Sequence, residues 1–327
     1  MKEKVLVNAF RSTLYTPDEL LGAFDSSKPG SFADTLDFRV YREFIIHGWL
    51  GDASYSDTIV QSLHDNSISY AVRKLVKEKK VAAIMGGHRT PRDAEVYAQV
   101  AYMARELTRR GIVMSSGGGP GAMEATHLGA SFANAPDENL QKAITILATE
   151  PELPHGVELV YKNGDINSEM MQRLHQWQVP AFLVAGQIKD APPSLAIPTW
   201  HYGHEPPTPF ATHIAKFFQN SLREDGLLAI ATQGIIYTEG RAGTLQEVFQ
   251  DAAQNYYQSF KWFSPMVFLG VKHWTETMPV LPVLKQLFKE KYDTHVLVTD
   301  DPDAAVDFVA SFEAPEPLAT LPYPPPE

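Results

Sequence analysis

The sequence predicts an α/β fold with a doubly wound, mostly parallel sheet that follows an N-terminal helical extension. From Val81 onward, short apolar runs alternate with segments of helical periodicity. The runs are too short for buried helices and suit strands that are buried on both faces. Glycine-rich breaks follow several of the runs. An alternation of strand, turn and helix is typical of a parallel sheet covered by helices.

The predicted elements follow one another in a regular order over residues 81–312. The runs expected to form strands are Val81–Met85, Ile112–Met114, Ile144–Ala148, Ala181–Ala185, Ile235–Tyr237, Met266–Leu269 and Val296–Val298. The segments expected to form helices are Ala94–Arg110, Ala122–Ala133, His213–Glu224, Leu245–Gln258, Val280–Lys289 and Ala304–Phe312. Together they define the main domain of the chain.

Residues 1–80 form the extension. Helical patterns over Leu36–Trp49 and Ile68–Lys79 flank a polar stretch that begins at Gly51–Ser56, and no strand–helix alternation is visible. We expect this extension to pack on the sheet or on a second subunit. At the other end, residues 313–327 hold six prolines, which predicts an extended tail.

Two connections that contain prolines, Glu150–Pro180 and Ala191–Phe210, interrupt the alternation. Proline removes a backbone donor and clashes with the preceding helical turn, so neither segment is expected to form a long helix interior. Long irregular connections in a compact domain are more often binding loops. We therefore expect these two segments to border a site.

Composition and charge disfavour several classes of function. The chain of 327 residues has a formal net charge of −11 and no lysine- or arginine-rich block, which argues against nucleic acid as a partner. It has no cysteine, which excludes disulfides, thiolate metal sites and cysteine nucleophiles. The longest apolar runs fall far short of a membrane span. We expect a cytoplasmic protein that binds neither membranes nor nucleic acid.

Two glycine-rich breaks carry the predicted chemistry. The first, Ser116-Gly-Gly-Gly-Pro-Gly-Ala-Met-Glu-Ala125, opens a helix directly after an apolar run. Glycines let the backbone approach a ligand, and the free amides at a helix N-terminus favour an anion such as phosphate. A tight turn that binds nothing would use the same glycines, so this motif alone leaves both interpretations open.

The second break, Gly240–Glu247, offers the amides of Gly243 and Thr244 to a phosphate, with Arg241 as an added donor. Thr244 and Glu247 also have the spacing of a capping box, in which both side chains only satisfy backbone donors. A third break, Gly86–Pro91, follows the first strand. Because the carboxyl ends of parallel strands share one edge, we expect the three breaks to line one cleft.

These motifs resemble those of the Lonely Guy (LOG) family, also known as lysine decarboxylase-like proteins. The matching segments are Met85–Pro91, Gly117–Ala125, Gly240–Glu247 and Val298–Asp303. The second segment is a close match to the family's GGGPGxMEA signature, and the third is similar to its PGGxGTxxE signature. The resemblance implies a Rossmann-like nucleotide-binding fold. It also implies hydrolysis of the N-glycosidic bond of a nucleoside 5′-monophosphate to free base and ribose 5-phosphate.

The resemblance further implies roles for single residues. Glu247 and Arg223 correspond to the family's catalytic pair, although Arg223 alone could equally be a solvated helix charge. Contacts to the phosphate are implied for Gly240, Gly243 and Thr244. From the glycine breaks themselves, we also expect contacts to the nucleotide or its phosphate at Gly86, Gly87, Gly117, Gly118, Gly119, Gly121, Glu124 and Arg241. No cofactor is implied, and members of the family are homodimers or larger.

Three alternatives were weighed against this interpretation. The family's Pro-Gly-Gly is Glu239-Gly240-Arg241 here, which leaves open a nucleotide sensor or carrier without turnover. A nicotinamide-dependent oxidoreductase is disfavoured because the glycine spacing is G-x-G-x-G and not G-x-G-x-x-G. Lysine decarboxylation is disfavoured because no context for a Schiff-base lysine is visible. We expect no metal at His201–Glu205, since Pro206–Pro207 forbids the helix of an H-E-x-x-H zinc site.

Overall fold

The computed structural model describes residues 7–47, 54–259 and 262–314. Within these ranges, parallel strands form one sheet: β1 (Val81–Met85), β2 (Val113–Ser116), β3 (Ser194–Ala196), β4 (His213–Ile214), β5 (Gly234–Tyr237), β6 (Met266–Leu269) and β7 (Val296–Thr299). Their order is β4-β3-β2-β1-β5-β6-β7, and all neighbouring pairs are parallel. The chain extends the sheet outward from β1 in one direction and then from β5 in the other. The predicted doubly wound, Rossmann-like α/β fold is confirmed.

Helices precede the sheet and cover it. They are α1 (Pro17–Leu21), α2 (Leu36–His47), α3 (Tyr55–Val76), α4 (Glu95–Arg109), α5 (Ala122–Ser131), α6 (Asp137–Leu147), α7 (Ser168–Ala185), α8 (Asn220–Ile230), α9 (Ala242–Tyr256), α10 (Leu281–Phe288), α11 (Tyr292–His295) and α12 (Pro302–Ser311). Short 3-10 turns lie at Ser31–Asp34, Trp200–Tyr202 and Lys289–Lys291, and a π turn lies at His273–Thr277. Among the residues described, no helix has the length and apolarity to cross a membrane.

Three sequence-based predictions lie partly outside the described ranges. These are the last two residues of the predicted helix Leu36–Trp49, the start of the polar stretch at Gly51–Ser56, and the proline-rich tail from residue 315 onward. Helix α3 begins at Tyr55, well before the predicted Ile68, because Ser54 caps it by accepting from the Asp57 amide. The extension therefore has more helix than its apolar pattern indicates.

Two hydrophobic clusters cover the two faces of the sheet. Neighbouring residues of a strand face opposite sides. In β1, Val81, Ala83 and Met85 belong to one cluster, and Ala82 and Ile84 belong to the other. All five residues are buried, as expected of a central strand covered by helices on both faces. This burial explains why the sequence of the strand is a continuous apolar run.

The N-terminal extension shares a core with one face of the sheet. Phe32, Phe38 and Ile68 are completely buried in the cluster that includes residues of β1 and β5. The backbone of Tyr15 also forms an antiparallel bridge with Ile214 in the edge strand β4. Of the two placements that the sequence left open, the extension therefore adopts the one on the sheet of its own chain.

Two predicted strands are wrong. Ile144–Ala148 contributes the end of α6, and Ala181–Ala185 forms the end of α7. The buried residues of α6 are Leu140, Ala143, Ile144 and Leu147. This spacing is that of an amphipathic helix, so the apolar run is one turn of its buried side. A short apolar run does not by itself distinguish a strand from a buried helical turn.

Strands β3 and β4 take the places of the two wrong strands in the sheet. β3 lies within the connection Ala191–Phe210, and β4 occupies the start of the segment predicted as the helix His213–Glu224. The helix of that segment, α8, begins only at Asn220. Both strands are too short to show the alternation of apolar and polar residues that marks a strand, and prolines flank β3. Neither strand can therefore be recognised from the sequence.

Helix α7 corrects a further expectation. Pro180 lies inside this helix of 18 residues, although Glu150–Pro180 was not expected to hold a long helix. Proline disrupts the hydrogen bonds of the preceding turn. The Trp177 carbonyl of that turn accepts a hydrogen bond from Arg92 Nη1 at 2.7 Å. A side chain from another part of the chain therefore satisfies the helix backbone near the proline.

A buried ion pair joins the extension to the carboxyl edge of the sheet. Lys216, just after β4, lies 2.5 Å from Asp37 of α2, and both side chains are buried. Lys216 Nζ also donates to the Thr199 carbonyl at 3.0 Å. Burial raises the pKa of Asp37 and lowers that of Lys216, and the attraction between the two charges opposes both shifts. Each charge is therefore stable inside the protein only because the other is present.

We expect Lys216→Met to lower the free energy of unfolding by about 3–5 kcal/mol, because it leaves the Asp37 carboxylate buried without a partner. Urea denaturation measures this loss. The double variant Asp37→Leu/Lys216→Met removes both charges and should recover most of the lost stability. Equal losses in the single and double variants would show that the pair does not act through its charges.

Candidate functional site

Three glycine-rich loops meet at the carboxyl edge of the sheet, where the strand order reverses between β1 and β5. They are loop 1 (Gly86–Pro91), loop 2 (Gly117–Gly121) and loop 3 (Thr238–Arg241). The Gly87 amide donates to the Glu239 carbonyl at 3.0 Å, and the Gly87 carbonyl accepts from the Ala122 amide at 3.2 Å. Loop 1 is therefore bonded to loop 3 and to the helix that follows loop 2. Ligands bind at such a reversal point in this architecture.

Several of the predicted glycines are required by the close packing of these loops. A Cβ on Gly86 would lie 2.0 Å from Thr238 Oγ1. Gly121 has a φ of +67°, and its Cβ would lie 2.3 Å from the Gly87 carbonyl oxygen. Gly118 is enclosed by β3 residues in a similar way. These glycines give the cleft its shape by letting the loops touch.

The N-terminus of α9 leaves backbone amides open. The helix begins at Ala242, and no side chain caps it. The amides of Ala242, Gly243 and Thr244 have no hydrogen-bond partner among the residues described. Gly243 has no atom within 4 Å of the position of a Cβ, so its backbone is accessible. Unpaired amides of this kind bind phosphate and other anions.

The capping-box interpretation of Thr244 and Glu247 is wrong. It would require Thr244 at the N-cap position, but Arg241 occupies that position and the helix starts at Ala242. Thr244 is buried near Gly240, where its Oγ1 lies 2.1 Å from the position of a Cβ on that glycine. Glu247 is one turn further along the helix, so its carboxyl group has no part in capping.

Arg223 lies beside loop 2, and its charge acts on Glu247 of α9. Arg223 of α8 is only 9% exposed, and its Nη1 lies 3.1 Å from the position of a Cβ on Gly117. The side chains of Asn220 and Glu224 accept hydrogen bonds from its guanidinium at 2.8 Å each. Burial raises the pKa of Glu247 to about 7, while the Arg223 charge opposes this rise and the Glu224 charge adds to it. The structure thus brings the predicted pair together from two helices.

Glu124 lies in α5, directly after loop 2, and its carboxylate accepts hydrogen bonds from other side chains of the protein. Its oxygens accept from Arg92 Nη2 at 2.7 Å and Arg92 Nε at 2.8 Å, and the Tyr97 hydroxyl donates to it at 2.9 Å. The guanidinium also stacks on the Trp177 ring, 3.9 Å from its centroid. Arg92 directly follows loop 1, so this pair joins loop 1 to α5. Sequence analysis did not identify Arg92, although its position beside a motif is visible there.

The two departures from the family pattern in loop 3 are exposed. The Cγ atom of Glu239 lies 3.7 Å from the position of a Cβ on Gly270. Its side chain therefore extends towards the segment after β6, while its backbone carbonyl bonds to loop 1. Arg241 is the N-cap residue of α9 and lies next to the open amides. Beside the open amides of α9, the local charges are thus the Arg241 guanidinium and the Glu239 carboxylate, which is turned towards the segment after β6.

A second polar group borders loop 2 from the connection after β3. Glu205 Oε2 lies 3.9 Å from the position of a Cβ on Gly119. Glu205 Oε1 lies 3.7 Å from His88 Nε2 and 3.9 Å from His204 Nε2. The Thr208 amide donates to the backbone of loop 2 at 2.9 Å and fixes the connection there. The sequence does not predict that His204 and Glu205 meet His88, because this contact depends on the path of the connection after β3.

Residues 7–47, 54–259 and 262–314 contain no group of three or more His, Asp or Glu side chains placed to hold a metal ion. Glu205 and the two histidines lie within the range of electrostatic attraction, at 3.7 and 3.9 Å.

Comparisons with known proteins do not identify a family for this chain. No protein-family model matches it, and no curated protein is significantly similar to it.

Asp251 lies one turn after Glu247, and burial raises the pKa of its carboxyl group as well. Its buried carboxyl group accepts a hydrogen bond from the Tyr237 hydroxyl at 2.8 Å. Burial raises the pKa of Asp251 from 3.8 to about 7, and the hydrogen bond from Tyr237 opposes this rise. The folded protein therefore holds this proton more tightly than the unfolded chain does.

This difference predicts how stability changes with pH. The contribution of the Asp251 proton to the free energy of unfolding is fully present below about pH 4 and is lost as the pH rises through about 7. Between these values the unfolded chain has released the proton, whereas the folded protein still holds it. Asp251→Asn keeps an acceptor for Tyr237 and removes the titration. The free energy of unfolding, measured by urea denaturation at pH 5 and pH 8, should therefore fall less in the variant, by about 1.4 kcal/mol for each pH unit between pH 5 and the folded pKa of about 7. Equal falls in both proteins would contradict the raised pKa.

Proposed function

We propose that the protein binds a nucleoside 5′-monophosphate across loops 2 and 3 and hydrolyses its N-glycosidic bond to free base and ribose 5-phosphate. The observation that carries the proposal is that Arg223, which lies against Gly117 of loop 2, acts by its charge on Glu247, and that Glu247 is one helical turn from the open amides of α9. An anion site, a guanidinium and a carboxyl group with a pKa near 7 support this chemistry together. The resemblance of the loops to LOG motifs points in the same direction.

In this proposal the 5′-phosphate lies on the amides of Gly243 and Thr244. The helix dipole and the unpaired N–H groups favour a phosphate dianion at this position. Arg241 is exposed beside these amides and adds a positive charge. The Glu239 carboxylate is turned towards Gly270. Its repulsion of the phosphate is therefore reduced by distance and by water.

Glu247 acts on the ribose. Breaking the bond between C1′ and the base nitrogen develops positive charge on the sugar ring. A carboxylate one helical turn, about 5 Å, from the phosphate amides can stabilise that charge and take a proton from the attacking water. Arg223 opposes the effect of burial on the Glu247 pKa, which keeps a useful fraction of the carboxylate ionised at neutral pH.

A nucleotide sensor or carrier without turnover is the second candidate. It is favoured by Glu239 and Arg241, which replace the proline and glycine of the family motif. A sensor would use the same amides for the phosphate and would need no group that titrates near neutral pH. Measurement of turnover therefore separates it from the hydrolase.

We expect Glu247→Gln to reduce the release of free base by about 10²-fold or more, since glutamine cannot accept a proton from water. Binding of the nucleotide should persist because the amides of α9 are unchanged. Free base released from a panel of nucleoside 5′-monophosphates is measured by chromatography, and binding by calorimetry. Base release by the wild type should also rise with pH around 7, as Glu247 ionises.

Glu138→Gln is the matched control, because this glutamate is exposed on α6 and should be replaceable without effect. Turnover that persists in Glu247→Gln would refute the catalytic role of Glu247. Nucleotide binding by the wild type without release of any base would favour the sensor.

We also propose that the protein is a homodimer or larger, associated through the outer surfaces of α8 and α9. Leu222, Phe249, Tyr256 and Tyr257 are exposed there, and clustered exposed aromatic residues are typical of interfaces. A groove of about 1380 Å³ between α3, α8 and α9 continues this surface and is lined in part by Tyr70. Because α8 and α9 also carry Arg223 and Glu247, association would hold both helices of the site in place.

The change Tyr257→Asp should weaken this association, because it places a charge in the apolar surface. Light scattering at micromolar concentration should give the mass of a dimer or larger assembly for the wild type and a lower mass for the variant. Tyr161→Asp is the control, since Tyr161 is an exposed tyrosine between α6 and α7. A monomeric wild type at these concentrations would refute the proposal.

A further inference from the structure

We infer that His88, His204 and Glu205 form the proton donor to the departing base. The inference rests on the proposed function, because it assigns a group that cleavage of the glycosidic bond requires. Glu247 and Arg223 do not provide it, since one takes the proton of water and the other carries a permanent charge. The three side chains are named the His–Glu cluster below.

The reaction needs two proton transfers at different places. The oxygen of water bonds to C1′, the bond from C1′ to the base nitrogen breaks, and its electron pair stays with the base. One proton of the water goes to Glu247, and one proton from the His–Glu cluster goes to the base, which leaves as a neutral molecule. Solvent then removes the proton from Glu247 and returns one to the cluster. A positioned acid contributes about 10²- to 10⁴-fold to the rate of such a step.

The His–Glu cluster lies along the same loop as Arg223. Arg223 Nη1 is 3.1 Å from the position of a Cβ on Gly117, and Glu205 Oε2 is 3.9 Å from the position of a Cβ on Gly119. These two glycines are two residues apart, so at most about 7 Å separates their Cα atoms. The side chain of Met123 lies against both of them. The cluster and Arg223 therefore border the same short stretch of loop 2.

The geometry of the cluster gathers both imidazoles around one carboxyl oxygen. Nε2 of His88 and Nε2 of His204 lie 3.7 and 3.9 Å from Glu205 Oε1. Burial lowers the pKa of His204, Glu205 opposes this change, and His88 adds to it. A lowered pKa makes a protonated imidazole a stronger acid, which suits a group that gives its proton to a leaving base.

Two separately fixed segments present the imidazoles to the cleft. His88 follows Gly87, whose amide and carbonyl are both hydrogen-bonded to neighbouring segments. His204 follows Gly203, which packs so closely on Tyr41 that a Cβ would lie 2.3 Å from the ring. The side chains of His88 and His204 are nevertheless 43% and 49% exposed. A ligand on loop 2 can therefore reach both imidazoles without a change in the backbone.

A leaving group that needs no proton tests the inference. The two substrates are a natural nucleoside 5′-monophosphate and 4-nitrophenyl β-D-ribofuranoside 5-phosphate, whose nitrophenolate leaves as a stable anion. The double variant His88→Gln/His204→Gln should lose about 10²-fold or more in base release but stay within about threefold of the wild type on the nitrophenyl substrate. Glu205→Gln should show the same selectivity, and Glu247→Gln should lose activity on both substrates.

Controls separate the possible outcomes. His155→Gln changes an exposed histidine outside the cleft and should affect neither substrate. Equal losses on both substrates in the double variant would indicate a structural role and overturn the inference, as would unchanged base release. A wild type that cleaves neither substrate would overturn the proposed function itself and the inference with it. Glu205→Gln keeps both imidazoles, so it tests the inference even if the double variant does not fold.

Discussion

The buried pair of Arg92 and Glu124 fixes the floor of the cleft. Two charges removed from water are stable only when their hydrogen bonds are satisfied. Here the guanidinium binds the carboxylate through two nitrogens, and Tyr97 and the Trp177 carbonyl complete the set. The pair joins loop 1 to α5, and loop 1 is in turn bonded to loop 3 through Gly87. The position of all three loops therefore depends on this one interaction.

The N-terminal extension positions the other side of the cleft. Asp65 of α3 accepts hydrogen bonds from the amides of Phe218 and Gln219, at 2.9 and 2.8 Å, just where α8 begins. His64 lies 3.1 Å from the same carboxylate and holds it in place. Because α8 carries Arg223, a region without a motif of its own determines where half of the proposed catalytic pair lies. The extension is thus part of the site's architecture.

Local signals explain which features could be predicted from the sequence. Strands such as β1 are apolar on both faces, so the fold class was predictable. The glycine breaks follow the strands at a distinctive spacing, so the edge of the sheet that holds the cleft was predictable as well. Ala181–Ala185 was predicted as a strand because it is a short apolar run after Pro180, whereas the structure continues helix α7 through the proline. The neighbours His88 and Glu205 are separated by more than one hundred residues of sequence, and only the folded path of the chain brings them together.

The contact between Gly86 and Thr238 couples the evolution of two strands. A Cβ at position 86 would lie 2.0 Å from the threonine hydroxyl, so any larger residue there would push apart the ends of β1 and β5. A smaller residue at position 238 would remove this clash, but the Ala122 Cβ would still lie 2.9 Å from the new atom. Position 86 is therefore expected to change only together with positions 122 and 238 among descendants of this sequence. A lineage in which Gly86 changed first would pass through a form with a widened cleft.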